Sequence, residues 1–294
     1  MPELPEVQTI VNDLNKKIRD KTITDIWTEW PKAFKRSPGG FEGFKKTVKN
    51  KSIKKVWRLG KNIIFDLSGG KEMLIHQKMT GHLLIGKWRL ENGKWAAVGK
   101  GPLQERVNGY IRTMFFLSGG AMMAFSDLRK FGKILVVDKK DFEKLEDVKD
   151  IGPDPLTSSF TVHKFISLIR KKRGPIKKIL MDQNVVSGIG NIYADEILFI
   201  ARVHPLYKIE KLSDEDLKKI FDAVKSILKK AVKLRGTSTS DYRDTAGRPG
   251  RYGNVRLVYQ REGEPCPRSC SGKIVRLKIG GRSAHFCPSC QKLK

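Results

Sequence analysis

The spacing of hydrophobic residues changes along the chain, and each pattern predicts a different kind of structure. Near the amino terminus, apolar residues recur every three or four positions, as on one face of a helix. Between Thr22 and Val137 they form short β-rich runs, and from Thr161 to Val232 the helical spacing returns. The first helical pattern is carried by Val7, Ile10, Val11, Leu14 and Ile18.

The β-rich part predicts an antiparallel β-sandwich with one helix at its amino-terminal end. Two of its runs flank Ser-Gly-Gly at residues 118–120, which is a hairpin signal. The predicted runs are Thr22–Trp30, Val56–Leu67, Met73–Ile85, Tyr110–Leu117, Ala121–Phe125 and Lys133–Val137.

The second part predicts helices, followed by a short strand. Asp138–Pro155 is charged and ends Ile-Gly-Pro-Asp-Pro, which is typical of a linker between the two parts. Ser213 suits the N-cap of the longest helix, and Gly236 suits its end. The predicted helices are Thr161–Lys172, Pro175–Asp182, Asn191–Val203 and the long helix between Ser213 and Gly236, which is marked by apolar residues from Leu217 to Val232. The predicted strand is Val255–Tyr259.

The charge of the chain predicts its partner. The 294 residues include 59 Lys and Arg against 31 Asp and Glu, which gives a formal net charge of +28. A protein this basic binds polyanions, and nucleic acid is the usual one. A proteome-wide shift toward lysine is the alternative, but it would raise the acids alongside the bases. The sequence contains no signal peptide and no long apolar run, which predicts a soluble intracellular protein without a membrane span.

The chain begins Met-Pro-Glu-Leu-Pro-Glu, and this start offers a nucleophile. Removal of Met1 would leave Pro2 with a free secondary amine, which can attack an electrophilic carbon and form an iminium. An α-amino group titrates near ~8 and a lysine near ~10.4, so more of the former is neutral at pH 7. Glu3 and Glu6 share a face of the predicted helix beside that amine, where carboxylates can move protons. The alternative is an ordinary helix start, with Pro5 in the first turn and acids that suit the helix dipole.

The four cysteines lie close together near the carboxyl terminus, in the spacing Cys266-x3-Cys270-x16-Cys287-x2-Cys290. Two close pairs of thiolates suit tetrahedral zinc, and four sulfurs leave no ligand position for water. We therefore expect one structural Zn²⁺, although the first pair is one residue wider than usual. His285 is expected to be structural or exposed and not a ligand.

Two further positions suit an anion. Residues 186–191 read Val-Ser-Gly-Ile-Gly-Asn at the junction of two predicted helices. The glycines let the backbone approach a ligand, and the next helix N-terminus favours an anion to which Asn191 can donate. An ordinary tight turn is the alternative. Lys61 ends the sequence Arg-Leu-Gly-Lys just before a strand, where an exposed lysine is the ordinary interpretation.

In this order, the amino-terminal motif, Gly60-Lys61, the Gly-Ile-Gly-Asn junction and the four-cysteine hairpin resemble the formamidopyrimidine-DNA glycosylase family over nearly the whole chain. The resemblance implies an α+β multidomain protein that binds DNA in a cleft between its domains. It implies an N-terminal antiparallel β-sandwich domain, a linker, a helical helix–two-turn–helix DNA-binding domain and a zinc-finger hairpin. These parts would occupy residues 1–137, 138–155, 156–254 and 255–294, respectively.

The resemblance also implies roles for individual residues. Pro2 corresponds to the nucleophile that attacks C1′ of the damaged nucleotide, and Glu3 corresponds to the proton donor. Glu6 corresponds to a second acid with a supporting role near the lesion. The residues that match contacts to the DNA backbone are Lys61, His76, Asn191 and Arg282.

Three more residues match side chains that fill the hole left when a base is flipped out of the duplex. They are Met79, Arg129 and Phe131. Met and Phe can wedge into a base stack, and Arg can hydrogen-bond the unpaired base. A core methionine and a surface arginine are the alternative.

The implied function is that of a bifunctional DNA glycosylase and AP lyase of base excision repair, acting on double-stranded DNA with oxidised bases or abasic sites. The amino-terminal motif and the trio favour the branch that removes oxidised purines, and loop 236–254 resembles its lesion-capping loop. The basic stretch Lys87–Arg106 departs from the family pattern. An oxidised-pyrimidine glycosylase, endonuclease VIII-like, and a non-catalytic damaged-DNA-binding relative are the alternatives. The resemblance further implies a bacterial, cytoplasmic, nucleoid-associated monomer.

Overall fold

The computed structural model describes residues 1–239 and 241–293, and the chain divides into two compact units. The first unit consists of Met1–Lys149 and Leu234–Gly253. The second consists of Asp150–Lys233 and Asn254–Lys294. This division differs from the predicted domains, because residues 138–149 and 234–253 both join the first unit.

Apart from the strand predicted at Val255–Tyr259, which is absent, the elements follow the predicted order, and α2, β6 and β7 are additions that the sequence did not predict. The helices are α1 (Leu4–Ile18), α2 (Gly40–Val48), α3 (Val162–Arg170), α4 (Ile176–Leu180), α5 (Asn191–Ala201) and α6 (Asp214–Lys233). The strands of the first unit are β1 (Ile23–Thr28), β2 (Ile53–Leu59), β3 (Asn62–Leu67), β4 (Lys71–His76), β5 (Gly81–Gly86), β6 (Trp88–Glu91), β7 (Lys94–Ala97), β8 (Ile111–Leu117), β9 (Met122–Asp127) and β10 (Lys133–Asp138). The second unit adds β11 (Val275–Ile279) and β12 (Arg282–Phe286). Within the described residues, we find no helix with both the length and the apolar character that crossing a membrane requires.

Two four-stranded antiparallel sheets form a sandwich in the first unit. One sheet has the order β1-β8-β9-β5, and the other has the order β10-β4-β3-β2. One buried core joins α1 to both sheets and includes Leu14, Phe65 and Phe115. The antiparallel β-sandwich with an amino-terminal helix is therefore confirmed.

Two of the predicted β-rich runs each span a turn between two strands. In Val56–Leu67, the chain reverses between β2 and β3 at Gly60, whose φ of +57° favours glycine. Met73–Ile85 covers most of β4 and β5 together with the loop between them. Because residues on both sides of each turn are buried, hydrophobicity alone does not mark where a strand ends.

The hairpin of β6 and β7 covers the outer face of the sheet that contains β5, β8 and β9. Trp88 and Trp95 belong to a small apolar cluster there, and the rings of Trp95 and Trp27 lie 5.6 Å apart, edge to face. The basic stretch Lys87–Arg106 therefore has a structural role, because its tryptophans complete the packing of the sandwich.

Residues 139–149 cover the outer face of the other sheet. Phe142 and Val148 are buried in a cluster with Ile64, Leu74 and Leu135. The predicted linker over residues 138–155 is thus, as far as Lys149, a packed part of the first unit, because Phe142 and Val148 are removed from water and Leu145 packs against them.

The segment that follows α6 is also tied to the first unit. The guanidinium of Arg235 donates to Asp13 in α1 and to Asp244, at 2.5 and 2.7 Å. The carbonyl of Thr245 accepts a hydrogen bond from the N–H of Ile85 in β5, at 2.8 Å. These bonds explain why the described part of Leu234–Gly253, predicted to belong with the helices, packs on the sandwich.

In the second unit, the predicted helices are present, and α3, α4 and α5 have shorter bounds than predicted. Ser213 caps α6, since its hydroxyl accepts the N–H of Asp216 at 3.1 Å and the carboxylate of Asp216 accepts the N–H of Ser213 at 3.2 Å. The helix ends at Lys233, three residues before Gly236, which instead lies in the loop of the first unit.

The strand predicted at Val255–Tyr259 is wrong. The carboxylate of Glu196 in α5 accepts the backbone N–H groups of Leu257, Val258 and Tyr259, at 2.8–3.1 Å. A sheet partner would need the same N–H groups, so the buried carboxylate replaces a strand ladder. Val258 is fully buried here without forming a strand, whereas Val255 is 38 % exposed.

A buried ion pair links α4, α5 and the hairpin of β11 and β12. Lys177 and Asp195 are each 1 % exposed, and the ammonium of Lys177 lies 2.6 Å from both the carboxylate of Asp195 and the carbonyl of Ser283. The other oxygen of Asp195 accepts the N–H of His285 at 2.9 Å and lies 3.0 Å from its Nδ1. His285 is therefore structural, as one of the two predicted possibilities.

We predict that Lys177→Met will destabilise the second unit by about 3–5 kcal/mol, because it leaves the carboxylate of Asp195 buried without its cation. Differential scanning calorimetry will show this as a lower melting temperature of that unit. Lys219→Met is the matched control, since Lys219 pairs with Glu215 at 2.7 Å on the surface and is 53 % exposed. An unchanged melting temperature for Lys177→Met would contradict the structural role of the buried pair.

Candidate active site and metal centre

The amino-terminal candidates are buried around the first turn of α1. Pro2 is buried, and Glu3, Glu6 and Lys61 are only 3 %, 2 % and 8 % exposed. The helix begins at Leu4 with Pro5 in its first turn, as predicted. Charged side chains are seldom buried in this way unless they are paired or functional.

The carboxylate of Glu6 connects the start of α1 to a distant loop. One oxygen accepts the N–H of Glu3 at 2.8 Å, and the other accepts the N–H of Thr237 at 2.6 Å. Both oxygens are thus used to hold backbone. Glu6 therefore fixes the place of Glu3 and of the loop at the same time.

The loop fits closely around Glu6. Gly236 has a φ of +79°, and a Cβ on it would lie 2.6 Å from Oε1 of Glu6. The hydroxyl of Tyr242 donates to the carbonyl of Glu6 at 3.4 Å, and burial, with the charge of Glu6, raises the pKa of that hydroxyl well above its ordinary value. Tyr242 accordingly remains a neutral donor.

The terminal amine lies in an environment that favours its neutral form. Burial lowers the pKa of the Met1 α-amino group, the charges of Glu3 and Glu6 oppose that effect, and the charge of Lys61 adds to it. Met1 precedes Pro2 in the structure, so the nitrogen of Pro2 is part of a peptide bond. Removal of Met1 would transfer the free amine to Pro2, beside the same charged side chains.

His76 ends β4 as a neutral ring. Burial lowers its pKa to about 3, and the charges of Lys78, Lys133 and Lys61 contribute in the same direction. Its Nδ1 accepts the N–H of Lys78 at 2.9 Å. The proton of the neutral ring is therefore on Nε2, which makes that atom a hydrogen-bond donor.

The predicted trio is brought together at the ends of two loops. Met79 and Phe131 are 46 % and 52 % exposed, unusually high for large apolar side chains. The guanidinium of Arg129 lies 4.7 Å from the centre of the Phe131 ring, and its Nη1 lies 3.3 Å from the sulfur of Met79. Neither apolar member is a core residue, which removes the alternative of a core methionine.

Asn191 is the first residue of α5, at the end of a glycine-containing turn. Gln183 holds this turn, because its side chain accepts the N–H of Gly188 and donates to the carbonyl of Ile189, both at 2.8 Å. Oδ1 of Asn191 has no hydrogen-bond partner among the described residues. Within the described residues, the side chain of Asn191 is therefore not held through this oxygen at the helix N-terminus.

Arg282 is exposed beside the turn of the β11–β12 hairpin. Gly280 and Gly281 form the turn with φ values of +54° and +80°, and Arg282 begins β12. The second strand of the hairpin is held by Asp195 through His285. A rigid hairpin that presents an arginine at its tip suits a phosphate contact.

The four cysteines form one cluster in which the sulfurs lie within 4.8 Å of one another. Pairs of sulfurs are separated by 3.4–3.7 Å, which agrees with the roughly 3.8 Å expected for tetrahedral zinc with Zn–S bonds of about 2.3 Å. Ser269, at a φ of +55°, accommodates the extra residue of the wider first pair. A Cβ on Gly272 would lie 2.8 Å from the sulfur of Cys287, so glycine is needed beside the cluster.

The electrostatics of the cluster also suit a dication. Burial raises the pKa of Cys290 to about 12, while the backbone N–H of Gly272 lowers the pKa of Cys270 to about 7. Four neighbouring thiols ionise together only when a cation compensates their charge. The donor set Cys266, Cys270, Cys287 and Cys290 therefore fits one structural Zn²⁺, as predicted.

Several residues that hold these sites were not predicted. Asp127 and Thr80 are hydrogen-bonded to each other in the loops that carry the trio. Lys177 and Asp195 form the ion pair that holds the β11–β12 hairpin, and Glu196 binds the backbone that precedes it. A buried acid two residues before Arg129, in Asp-Leu-Arg-Lys-Phe-Gly, was a usable signal for Asp127. The others pair with residues far away in sequence and leave no local pattern.

Three sequence profiles of known families match the chain. They are described as the formamidopyrimidine-DNA glycosylase N-terminal domain, the formamidopyrimidine-DNA glycosylase H2TH domain and the zinc finger found in FPG and IleRS. They match residues 1–134, 151–243 and 263–293, respectively.

Solved structures resemble the chain over nearly its whole length. Lactococcus lactis Fpg in complex with DNA that contains an abasic site has a TM-score of 0.84 and 31 % identity, with 99 % of each chain covered. A mutant of the same protein in complex with Fapy-dG-containing DNA has a TM-score of 0.85 and 32 % identity, covering 99 % of this chain and 100 % of that one. The MutM (Fpg) protein of Thermus thermophilus has a TM-score of 0.81 and 32 % identity, with 100 % of both chains covered.

Curated relatives are similar over the same extent. The formamidopyrimidine-DNA glycosylase of Pelotomaculum thermopropionicum is 37 % identical over 294 residues, which is 100 % of both chains. That of Chloroflexus aurantiacus is 34 % identical over 292 residues, covering 99 % of this chain and 98 % of the relative. With the sandwich, the helical unit and the four-cysteine hairpin in the same order, the chain belongs to the formamidopyrimidine-DNA glycosylase family.

Proposed function

We propose that this chain is a bifunctional DNA glycosylase and AP lyase that removes oxidised purines, such as 8-oxoguanine and formamidopyrimidines, from double-stranded DNA. Its relatives are named formamidopyrimidine-DNA glycosylase. The Lactococcus lactis protein forms a complex with abasic-site DNA, and a mutant of it forms one with Fapy-dG-containing DNA. The observation that carries this function is the buried group of Pro2, Glu3, Glu6 and Lys61. An amine next to carboxylates is what Schiff-base chemistry at a sugar carbon needs.

The first step exchanges the damaged base for Pro2. After Met1 is removed, the neutral nitrogen of Pro2 attacks C1′, and the glycosidic bond breaks with its electron pair going to the departing base, which takes up a proton. The nitrogen loses its own proton and then forms an iminium with C1′ as the C1′–O4′ bond breaks. Glu3 donates a proton to O4′. Burial of the terminal amine favours the neutral form that this attack requires.

The iminium then drives strand cleavage. It acidifies C2′, so that loss of a C2′ proton is followed by cleavage of the C3′–O3′ bond, which is β-elimination. Loss of a C4′ proton from the conjugated iminium then cleaves the C5′–O5′ bond, which is δ-elimination. Water hydrolyses the remaining iminium and restores Pro2 for another turnover.

Glu3 and Glu6 take different parts in this scheme. The two oxygens of Glu6 accept backbone N–H groups of Glu3 and Thr237. Proton transfer from Glu6 would disrupt both contacts, so we assign it the supporting role and Glu3 the proton-donating one. Glu6 then fixes the position of Glu3, the proton donor, relative to the loop that contains Thr237.

Backbone contacts to DNA are assigned to four residues. Lys61 and Arg282 supply positive charge, and Asn191 lies at a helix N-terminus, which favours phosphate. His76 differs from them, because its neutral ring offers a donor at Nε2 without a charge. A net charge of +28 makes the approach to DNA favourable and dependent on salt.

Met79, Arg129 and Phe131 are assigned to the space vacated by the flipped nucleotide. Their mutual contacts give a compact, exposed tip with two apolar groups and one guanidinium. The zinc held by the four cysteines stabilises the hairpin that presents Arg282 and leaves no position for a reacting water. A DNA substrate and bacterial relatives are consistent with a cytoplasmic, nucleoid-associated enzyme.

We predict that Pro2→Gly will abolish borohydride trapping of the protein on 8-oxoguanine DNA, because the secondary amine that forms the stable iminium is lost. Denaturing gels will report the covalent complex, and intact mass will report whether Met1 has been removed. Pro31→Gly is the control, since Pro31 is exposed and opens a short 3-10 helix outside the site. Full trapping by Pro2→Gly would remove Pro2 from the nucleophile's role.

The purine branch is tested by lesion choice. We expect cleavage of duplexes with 8-oxoguanine opposite cytosine to exceed cleavage of matched thymine-glycol duplexes by at least roughly tenfold, a difference of about 1.4 kcal/mol in transition-state binding. Single-turnover rates on the two substrates decide the matter. The reverse order would favour the oxidised-pyrimidine glycosylase, and DNA binding without cleavage of either would favour the non-catalytic relative.

We expect Cys287→Ser to release zinc and to weaken DNA binding roughly tenfold or more, because the hairpin that carries Arg282 loses its metal and its phosphate contact. Atomic absorption gives the zinc content, and fluorescence anisotropy gives the dissociation constant. Ser289→Ala, between the ligands Cys287 and Cys290, is the control and should keep both. Tight binding by zinc-free protein would show that the finger is dispensable for DNA binding.

A further inference from the structure

We propose that Asp127, acting with Thr80, is the positioning residue that sets the geometry of the tip formed by Met79, Arg129 and Phe131. This inference rests on the proposed function, because the tip matters only if a nucleotide is flipped out of a duplex. Asp127 is fully buried and is not among the residues assigned to the chemistry. Its effect would be on the arrangement of the tip.

The tip is formed by two loops that lie side by side. Residues 77–80 connect β4 to β5, and residues 128–132 connect β9 to β10. The strands on both sides of the loops are paired, since Gly81 is opposite Asp127 and Lys133 is opposite His76. Both loops therefore cross from one sheet of the sandwich to the other at the same place.

One carboxylate joins the two loops. Oδ2 of Asp127 accepts the N–H groups of Phe131 and Gly132, at 2.9 and 2.8 Å. Oδ1 accepts the hydroxyl of Thr80 at 2.5 Å and the N–H of Arg129 at 3.3 Å. The loop that carries Arg129 and Phe131 is thus folded around Asp127, and Thr80 ties the loop of Met79 to the same group.

Thr80 makes the connection in both directions. Its hydroxyl donates to Asp127 and accepts the N–H of Arg129, at 3.0 Å. Thr80 is 5 % exposed, so water does not readily replace these bonds. Thr80, the residue directly after Met79, therefore bonds to the backbone of Arg129. A single hydroxyl thus sets the distance between the loop of Met79 and the loop of Arg129.

The loops have little space in which to adopt another arrangement. A Cβ on Gly132 would lie 2.5 Å from the ring of Phe125, and a Cβ on Gly81 would lie 2.7 Å from the same ring. Lys78 and Lys130, one in each loop, have φ values of +54° and +55°, which cost energy for a residue other than glycine. Such conformations persist only when surrounding bonds hold them, and Asp127 and Thr80 supply those bonds.

A positioning role makes a specific kinetic prediction. Excision from a duplex requires the tip to fill the space of the flipped nucleotide, whereas an abasic site in a single strand leaves no stacked duplex to fill. Asp127→Asn and Thr80→Val should therefore slow excision of 8-oxoguanine from a duplex and largely spare cleavage of a single-stranded abasic oligonucleotide. The misplacement should cost about a hundredfold for Asp127→Asn and roughly tenfold for Thr80→Val.

The experiment compares single-turnover rates on these two substrates for each variant, together with borohydride trapping on the single strand. Thr80→Ser keeps the hydroxyl and should restore the wild-type ratio of the two rates. Thr113→Val is the matched control, because Thr113 is a fully buried threonine of the same sandwich whose hydroxyl lies 3.1 Å from that of Thr28. Its ratio should equal that of the wild type.

The outcomes separate this inference from the proposed function. Absence of trapping by the wild-type protein on the abasic oligonucleotide would reject the proposed chemistry, independently of Asp127. With wild-type trapping present, an unchanged ratio in Asp127→Asn and Thr80→Val would overturn the positioning role. An equal loss on both substrates, with a lower melting temperature, would also overturn it, because a general folding defect does not distinguish a duplex from a single strand.

Discussion

The carboxylate of Glu6 is the contact on which the catalytic end of the molecule depends. It accepts the N–H of Glu3, which directly precedes α1, and the N–H of Thr237, which is far away in sequence. A hydrogen bond to an ionised acceptor inside a protein is stronger than one between neutral groups, and its loss leaves donors unsatisfied. The backbone of Glu3, next to the proposed nucleophile Pro2, and the loop resembling a lesion cap are therefore held by the same two oxygens.

Buried carboxylates accept backbone N–H groups elsewhere in the chain as well. Asp127 organises the two loops of the exposed tip, Glu196 takes three backbone N–H groups, and Asp195 connects a buried lysine to the hairpin beside the cysteines. Asp127 and Glu196 hold irregular backbone that has no helix or sheet partner, whereas Asp195 holds strand β12 through the N–H of His285. A strongly basic protein thus uses a few of its acids internally, and its cations remain for the polyanion.

The sequence predicted the parts that depend on local patterns. The first helix, the sandwich and the cysteine cluster follow from periodicity and spacing, and the family resemblance was confirmed by full-length relatives. The parts that could not be predicted depend on distant partners. Nothing near Val255–Tyr259 indicates that Glu196 will take its N–H groups, and nothing near Arg235 indicates that Asp13 is its partner. The composition of Val255–Tyr259 led to a wrong strand prediction, because composition does not determine which polar group satisfies the backbone.

The first unit is discontinuous in sequence, and this has a consequence for biosynthesis. Residues 1–149 contain Pro2, Glu3 and Lys61, but Thr237 and Gly236 are translated only after the helices of the second unit. A nascent chain can therefore fold most of its sandwich on the ribosome before Gly236 and Thr237 are available to pack against Glu6. The order of translation would thus delay completion of the site that cuts the DNA strand until nearly all of the polypeptide has been made.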